Sequence, residues 1–169
     1  MPLNDLLSVG RIAIVSDVGD RAAVIDLAAR LLATPSFADH GEAALDQVDG
    51  LHGHDVIRDS LQSRERLAST AIGHGVAIPH GRVDFIDDSR GAFLRLSEPV
   101  DFGAADGLPV DLVLAMVVPE HSTQKHLQQL AELAEYFSDD GFRTRLREAG
   151  DMAELNHCLL GIPAGTDVA

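Results

Sequence analysis

Several protein classes are closed to this chain by what it lacks. It holds one cysteine, Cys158, among its 169 residues, so neither an internal disulfide nor a cysteine-built zinc site can form. Positive charge is scarce. Thirteen Lys and Arg residues face twenty-seven Asp and Glu, for a formal net charge of −14. A phosphate-rich polymer would be repelled over most of such a surface, which argues against nucleic-acid binding. No stretch approaches the roughly eighteen uninterrupted apolar residues of a membrane-spanning helix. Met1–Gly10 has no basic start followed by a long apolar run, as a secretory signal would. The expectation is a cytoplasmic protein with no direct membrane insertion. Nucleotide-binding motifs are missing too. Gly73-x-Gly75 lacks the third glycine of GxGxxG, since position 78 is Ile, and no GKS or GKT occurs. A metal-dependent hydrolase is the remaining rival on composition, because there are eight histidines. His52-Gly-His54 is the only tight pair among them, however, and no HExxH pattern accompanies it.

What is present suits one compact domain. Apolar residues make up 46% of the sequence, and the length allows a core of ordinary size. We take residues 1–169 as a single domain with its core over about 8–161. Arg11–Ser16 is a short β-rich run. Beyond Asp20, the spacing of Val24, Leu27, Ala28, Leu31 and Leu32 predicts an amphipathic helix closed by Pro35. Residues 36–54 are polar and weakly periodic, a loop with one short helix near Glu42–Val48, and a second helix follows from Asp55 to about Arg64. Gly75–Pro79, Ala92–Leu96 and Leu112–Val118 are short apolar runs bounded by Gly, Pro or Asp, as strands are. Asp106-Gly107 is a turn signal. Ser122 or Thr123 can cap a helix whose stripe includes Leu127, Leu130, Ala131, Ala134 and Phe137. Another helix holds Phe142, Leu146 and Ala149. The final helix opens on Asp151-Met-Ala-Glu154, a capping-box pattern, and stops at Gly161. Helices before, between and after strands predict an α/β domain, a mixed β-sheet flanked by helices in a layered sandwich.

The chemistry lies in Ser69–Arg82, STAIGHGVAIPHGR. Pro79 fixes φ and presses Ile78 into an extended shape, while Gly81 admits backbone angles that most residues avoid. His80 is thus mounted between a stiff residue and a permissive one at a strand end. A neutral imidazole there can take up a phosphoryl group and release it again. His126, early in the helix after Pro119, shares a face with Leu130, Leu133 and Phe137 and so points inward. A neutral ring there could donate to a phosphoryl oxygen. Arg64 is a candidate cation for the same group, because a guanidinium matches phosphoryl oxygens in geometry. Ser69 and Thr70 are candidate hydroxyl donors, with turn-capping as the alternative, and Arg82 could face a docking partner. Phe85, Ile86 and Phe102 are candidates for an apolar docking ring. The scheme needs no cofactor and no metal.

With these residues in view, the chain resembles the fructose/mannitol-type (type 2) IIA domain of the phosphoenolpyruvate-dependent phosphotransferase system, in its free-standing nitrogen-regulatory branch. The matching pieces are RERLASTAIGHGVAIPHGR (64–82), EPVDFGAADGLPVDLVLAMVVPE (98–120) and HLQQLAELAEYFSDDGFRTRL (126–146). The resemblance implies that His80 is the phosphorylated residue, through Nε2, with His126 the second active-site histidine and Arg64 the active-site arginine. It implies an HPr- or NPr-like phosphocarrier as donor, and regulatory target proteins or a IIB domain as further partners. The activity would be that of a transferase component with a mainly regulatory output; a sugar-specific IIA protein is the alternative. A pure binding module without phosphorylation is the third reading, against which intact His80 and His126 argue. Two departures stand out. His74 occupies a place where the family usually has Asn or Asp, and the 36–54 segment is longer than usual.

Overall fold

The computed structural model describes Leu3 and residues 6–33, 50–121 and 123–161. The helix end read at Pro35, the short helix read over Glu42–Val48 and the cap read at Ser122 lie outside the described residues. A 3-10 turn, Val9–Arg11, leads into strand β1 (Ile12–Val15) and helix α1 (Arg21–Leu32). Helix α2 (Gly50–Leu67) precedes the short strands β2 (Ala71–Gly73), β3 (Val76–Ala77) and β4 (His80–Val83). The long strands β5 (Arg90–Val100) and β6 (Val110–Pro119) come next, then helices α3 (Thr123–Ser138), α4 (Asp140–Glu148) and α5 (Met152–Leu160).

The strands form one mixed sheet in the order β1-β5-β6-β3-β2, with β4 also paired to β6. β5 and β6 are antiparallel, and the turn expected at Asp106-Gly107 falls in their connection, where Gly107 has φ +74°. β1 runs parallel to β5, and β3 and β4 both run parallel to β6. Side chains alternate across the sheet, and both faces are covered. Val113, Ala115 and Val117 pack with α1 and α2, whereas Leu112, Leu114, Met116 and Val118 pack with α3, α4 and α5. That double burial is why β6 reads as an unbroken apolar run instead of an alternating one. The layered α/β architecture expected from the sequence is the one found.

Helix ends are fixed by side chains that the sequence shows directly. Asp20 caps α1 by accepting the Ala23 N–H at 2.9 Å, and Asp151 caps α5 through the Glu154 N–H at 2.9 Å. Gly161 closes α5 in a left-handed conformation, φ +72°. Arginines from β5 hold the opposite ends. Arg90 donates to the Leu32 carbonyl of α1, and Arg95 donates to the Leu146 and Ala149 carbonyls at the end of α4.

The structure departs from the sequence reading in three places. Helix α2 begins at Gly50 rather than Asp55, because buried His54 is tied to Asp26 on α1 at 2.8 Å, and this tertiary contact overrides a Gly-containing start. β2 and β4 are strands too short to show a period. In α3 the inward face is His126, Gln129, Leu133 and Phe137, while Leu127 is 62% exposed and Ala131 also faces outward.

Candidate functional site

The register of β4 against β6 decides where His80 points. His80 pairs with Met116 and Gly81 with Val117, so His80 faces the α3 side and Gly81 the α2 side. Pro79 has no N–H to give. It interrupts the strand for one step while its carbonyl accepts the Met116 N–H at 2.9 Å. The Ile78 N–H turns instead to the Thr70 carbonyl at 3.0 Å. This irregular step brings the Ile78 carbonyl to His80, whose Nδ1 lies 2.9 Å from it. A carbonyl oxygen only accepts, so Nδ1 carries the proton and Nε2 keeps its lone pair.

His126 stands edge-on to His80, with ring centroids 5.3 Å apart and planes at 67°. The ring is 5% exposed, and neither of its nitrogens has a hydrogen-bond partner among the described residues. Burial pushes the His126 pKa down to about 4, aided by the charges of His80, Arg82 and Arg64. The His80 pKa is lowered as well, chiefly by burial. Its bond to Ile78 and the Glu65 carboxylate oppose that shift, and Arg64 and Arg82 add to it. Two neutral imidazoles therefore face each other within the field of two guanidinium groups. One can attack as a nucleophile, and the other can bond an incoming oxygen.

Of the residues chosen from sequence, His80, His126 and Arg64 share this corner. Half-buried Arg64 lies in the last turn of α2 and donates to the Ala68 carbonyl at 2.8 Å. Ser69 and Thr70 are beside it, but their hydroxyl protons go to protein acceptors. Ser69 donates to the Phe102 carbonyl at 2.5 Å and caps the turn by accepting the Ala71 N–H at 3.1 Å, while Thr70 donates to Glu65 Oε1 at 2.6 Å. Gly81 is needed for a different reason from the one expected. Its φ is not positive; a Cβ there would sit 2.3 Å from Ser60 Oγ, so glycine lets β4 lie against α2. Arg82 is exposed, on the same face of β4 as His80. Phe102 and Ile86 are buried and Phe85 packs against the same core, so these three form no docking ring. His74 keeps its loop together despite the unusual residue type. At φ +59° its N–H bonds Asp106 and its carbonyl accepts from Arg147.

Two residues escaped the sequence reading. Ser60 brackets the strand, accepting the Arg82 N–H and donating to the Arg82 carbonyl, both at 3.0 Å. Glu65 is buried at 6% exposure. A signal for Glu65 existed, because extending the Ile57–Leu61 stripe by one more helical step lands on it. Among the described residues, no group of three or more His, Cys, Asp or Glu side chains could hold a metal ion. None of the described helices is long and apolar enough to cross a membrane.

A layered sheet that offers one imidazole nitrogen beside a second, buried imidazole and two arginines defines a class of small phosphoryl-handling domains. The chain belongs to the phosphoenolpyruvate-dependent sugar phosphotransferase system EIIA 2 family, whose model matches residues 5–161. It is similar to the nitrogen regulatory protein of Bradyrhizobium diazoefficiens, at 41% identity over 63% of this chain and 69% of that protein. The nitrogen regulatory protein of Pseudomonas aeruginosa matches at 39% over 64% of this chain and 71% of the relative. Among solved structures, the nitrogen regulatory protein IIA-Ntr of Neisseria meningitidis superposes with a TM-score of 0.76 and 34% identity, covering 93% of this chain and 98% of that one. IIA mannitol of Escherichia coli shares the fold, with a TM-score of 0.67 at 20% identity over 90% of this chain and 98% of that one. The role is that of a phosphocarrier and regulatory protein of the phosphotransferase system.

Proposed function

We propose that His80 carries the phosphoryl group on Nε2, taking it from an HPr- or NPr-like phosphohistidine carrier, and that the loaded and free forms select different protein partners. The observation that supports this most is the Nδ1–Ile78 bond at 2.9 Å, which keeps the proton on one nitrogen and leaves the other for attack. As the Nε2–P bond forms, the N–P bond of the donor breaks and the donor imidazole regains its lone pair. The proton stays on Nδ1 throughout, hydrogen-bonded to the Ile78 carbonyl. His126 and Arg64 bind phosphoryl oxygens, which supplies a buried ring that has no hydrogen-bond partner among the described residues with an acceptor. Transfer needs positioning and charge stabilisation, and no cofactor. In this reading the chain is a cytoplasmic transferase component, one domain working mainly as a regulator. Phosphorylation adds a dianion to the face bearing Arg64 and Arg82, which changes what docks there.

The test is incubation with phosphoenolpyruvate, enzyme I and an HPr-type carrier, followed by intact-mass measurement. We expect one acid-labile phosphoryl group on the wild type and none on His80→Ala. Modification that persists in His80→Ala would overturn the assignment. A pull-down with both forms then separates a regulatory target from a IIB domain as the recipient.

A further inference from the structure

We infer that Glu65 is a positioning residue for His80: its buried carboxylate holds Thr70, Thr70 holds Ile78, and Ile78 holds the imidazole. Each link is a hydrogen bond of 3.0 Å or less. Glu65 Oε2 accepts the Thr70 N–H at 3.0 Å and Oε1 accepts the Thr70 hydroxyl at 2.6 Å. The Thr70 carbonyl accepts the Ile78 N–H at 3.0 Å, and the Ile78 carbonyl takes His80 Nδ1 at 2.9 Å. The chain of bonds crosses the one place where Pro79 interrupts the strand, so the β6 ladder does not hold Ile78 there.

A carboxylate is a poor choice for a site that serves packing alone. Glu65 has a side chain 4% exposed and stands on the stripe that Ile57 and Leu61 begin, where an apolar residue would avoid the desolvation penalty. Its nearest cation, Arg21, is 3.8 Å away and also donates to the Phe102 carbonyl. Ser69 donates to that same carbonyl, so the Ser69–Thr70 turn is clamped on both sides. The negative charge also opposes the other influences that lower the His80 pKa. Geometry favours the ring with Nδ1 protonated and Nε2 available, while the charge limits how far the His80 pKa falls. This inference rests on the phosphoryl-carrier reading for its kinetic consequences and on geometry alone for its spectroscopic ones.

The experiment compares Glu65→Gln, Thr70→Val and Thr70→Ser with the wild type. Imidazole ¹⁵N spectra, with His80 assigned by loss in His80→Ala, report the tautomer and the titration midpoint. The wild type should show the Nδ1–H tautomer. Glu65→Gln and Thr70→Val should mix in Nε2–H, and Glu65→Gln should move the His80 midpoint to lower pH. Phosphoryl acceptance should fall about tenfold in both, as small misplacements of a reacting group do, and Thr70→Ser should restore it. A capping role alone would lower stability and leave the tautomer and midpoint unchanged. That result in folded variants overturns the inference. If Glu65→Gln does not fold, the two Thr70 variants decide by the same spectra. A wild type that accepts no phosphoryl group sinks the carrier reading, while the spectra still judge Glu65.

Discussion

His54 and His126 are buried to nearly the same degree, 6% and 5% exposed, and their surroundings are opposite. His54 sits in the seam between α1 and α2 with carboxylates against both ring nitrogens, Asp26 at 2.8 Å and Asp55 at 3.3 Å. Arg30 and Arg58 complete that cluster by pairing with the same two acids. His126 lies between α3 and the sheet, and neither nitrogen meets a partner among the described residues. Folding selects for the first arrangement, since a buried polar group left unpaired costs about 1–3 kcal/mol. Partnering among the described residues, not depth, separates the two rings.

Replacing each ring by alanine tests that contrast most strongly. His126→Ala should slow phosphoryl acceptance on the order of a hundredfold, as loss of a transition-state donor does. His54→Ala should leave that rate within about twofold while lowering stability by roughly 1.5–3 kcal/mol, the range for hydrogen bonds to charged groups. Rapid-quench phosphorylation and urea unfolding give the two numbers, and an exchange of the two phenotypes would break the comparison.

Acid sharpens it next. His126 is neutral in the folded protein down to about pH 4, whereas the unfolded chain takes up its proton near the ordinary value of 6.5. The unfolded state binds more protons in that window, so stability is lost as pH falls through it, on the order of 2–3 kcal/mol at its lower end. Urea unfolding at several pH values should show this slope, and His126→Gln should flatten it. An unchanged slope would mean that the ring titrates alike in both states.

A third histidine supplies the smallest effect. His74 is exposed and held at φ +59°, a conformation that asparagine adopts more readily. His74→Asn should therefore stabilise by roughly 0.5 kcal/mol without altering phosphoryl acceptance. A drop in Tm would show that the imidazole itself contributes to the loop.

Much of the architecture was legible because its signals are local. The α1 stripe around Val24 and Ala28, the Asp151 cap and the Gly161 stop each depend on residues a few positions apart. The apolar run of β6 was legible as a strand, although the reason for its continuity, a covered second face, was not. β2 and β4 are not legible because strands of three and four residues carry no measurable period. Spacing places Leu127 in the core stripe, although it is exposed, because a helical stripe can be drawn through either of two neighbouring residues when only their spacing is known. In the site, His80, His126 and Arg64 were legible as candidates from their flanking chemistry. Ser69, Thr70 and Gly81 were chosen from the right segment, but their reasons for being there emerged only from their partners.

By itself, then, the sequence determined the order of the long helices and strands and singled out His80, His126 and Arg64 as candidates. Only the tertiary structure decided that Gly81 meets Ser60, that Glu65 reaches Thr70, and that the His126 ring nitrogens meet no hydrogen-bond partner among the described residues. The physical reason is that a side-chain period specifies a direction, while a partner is specified by the register of β4 on β6 and by the packing of α2 and α3 against opposite faces of the sheet.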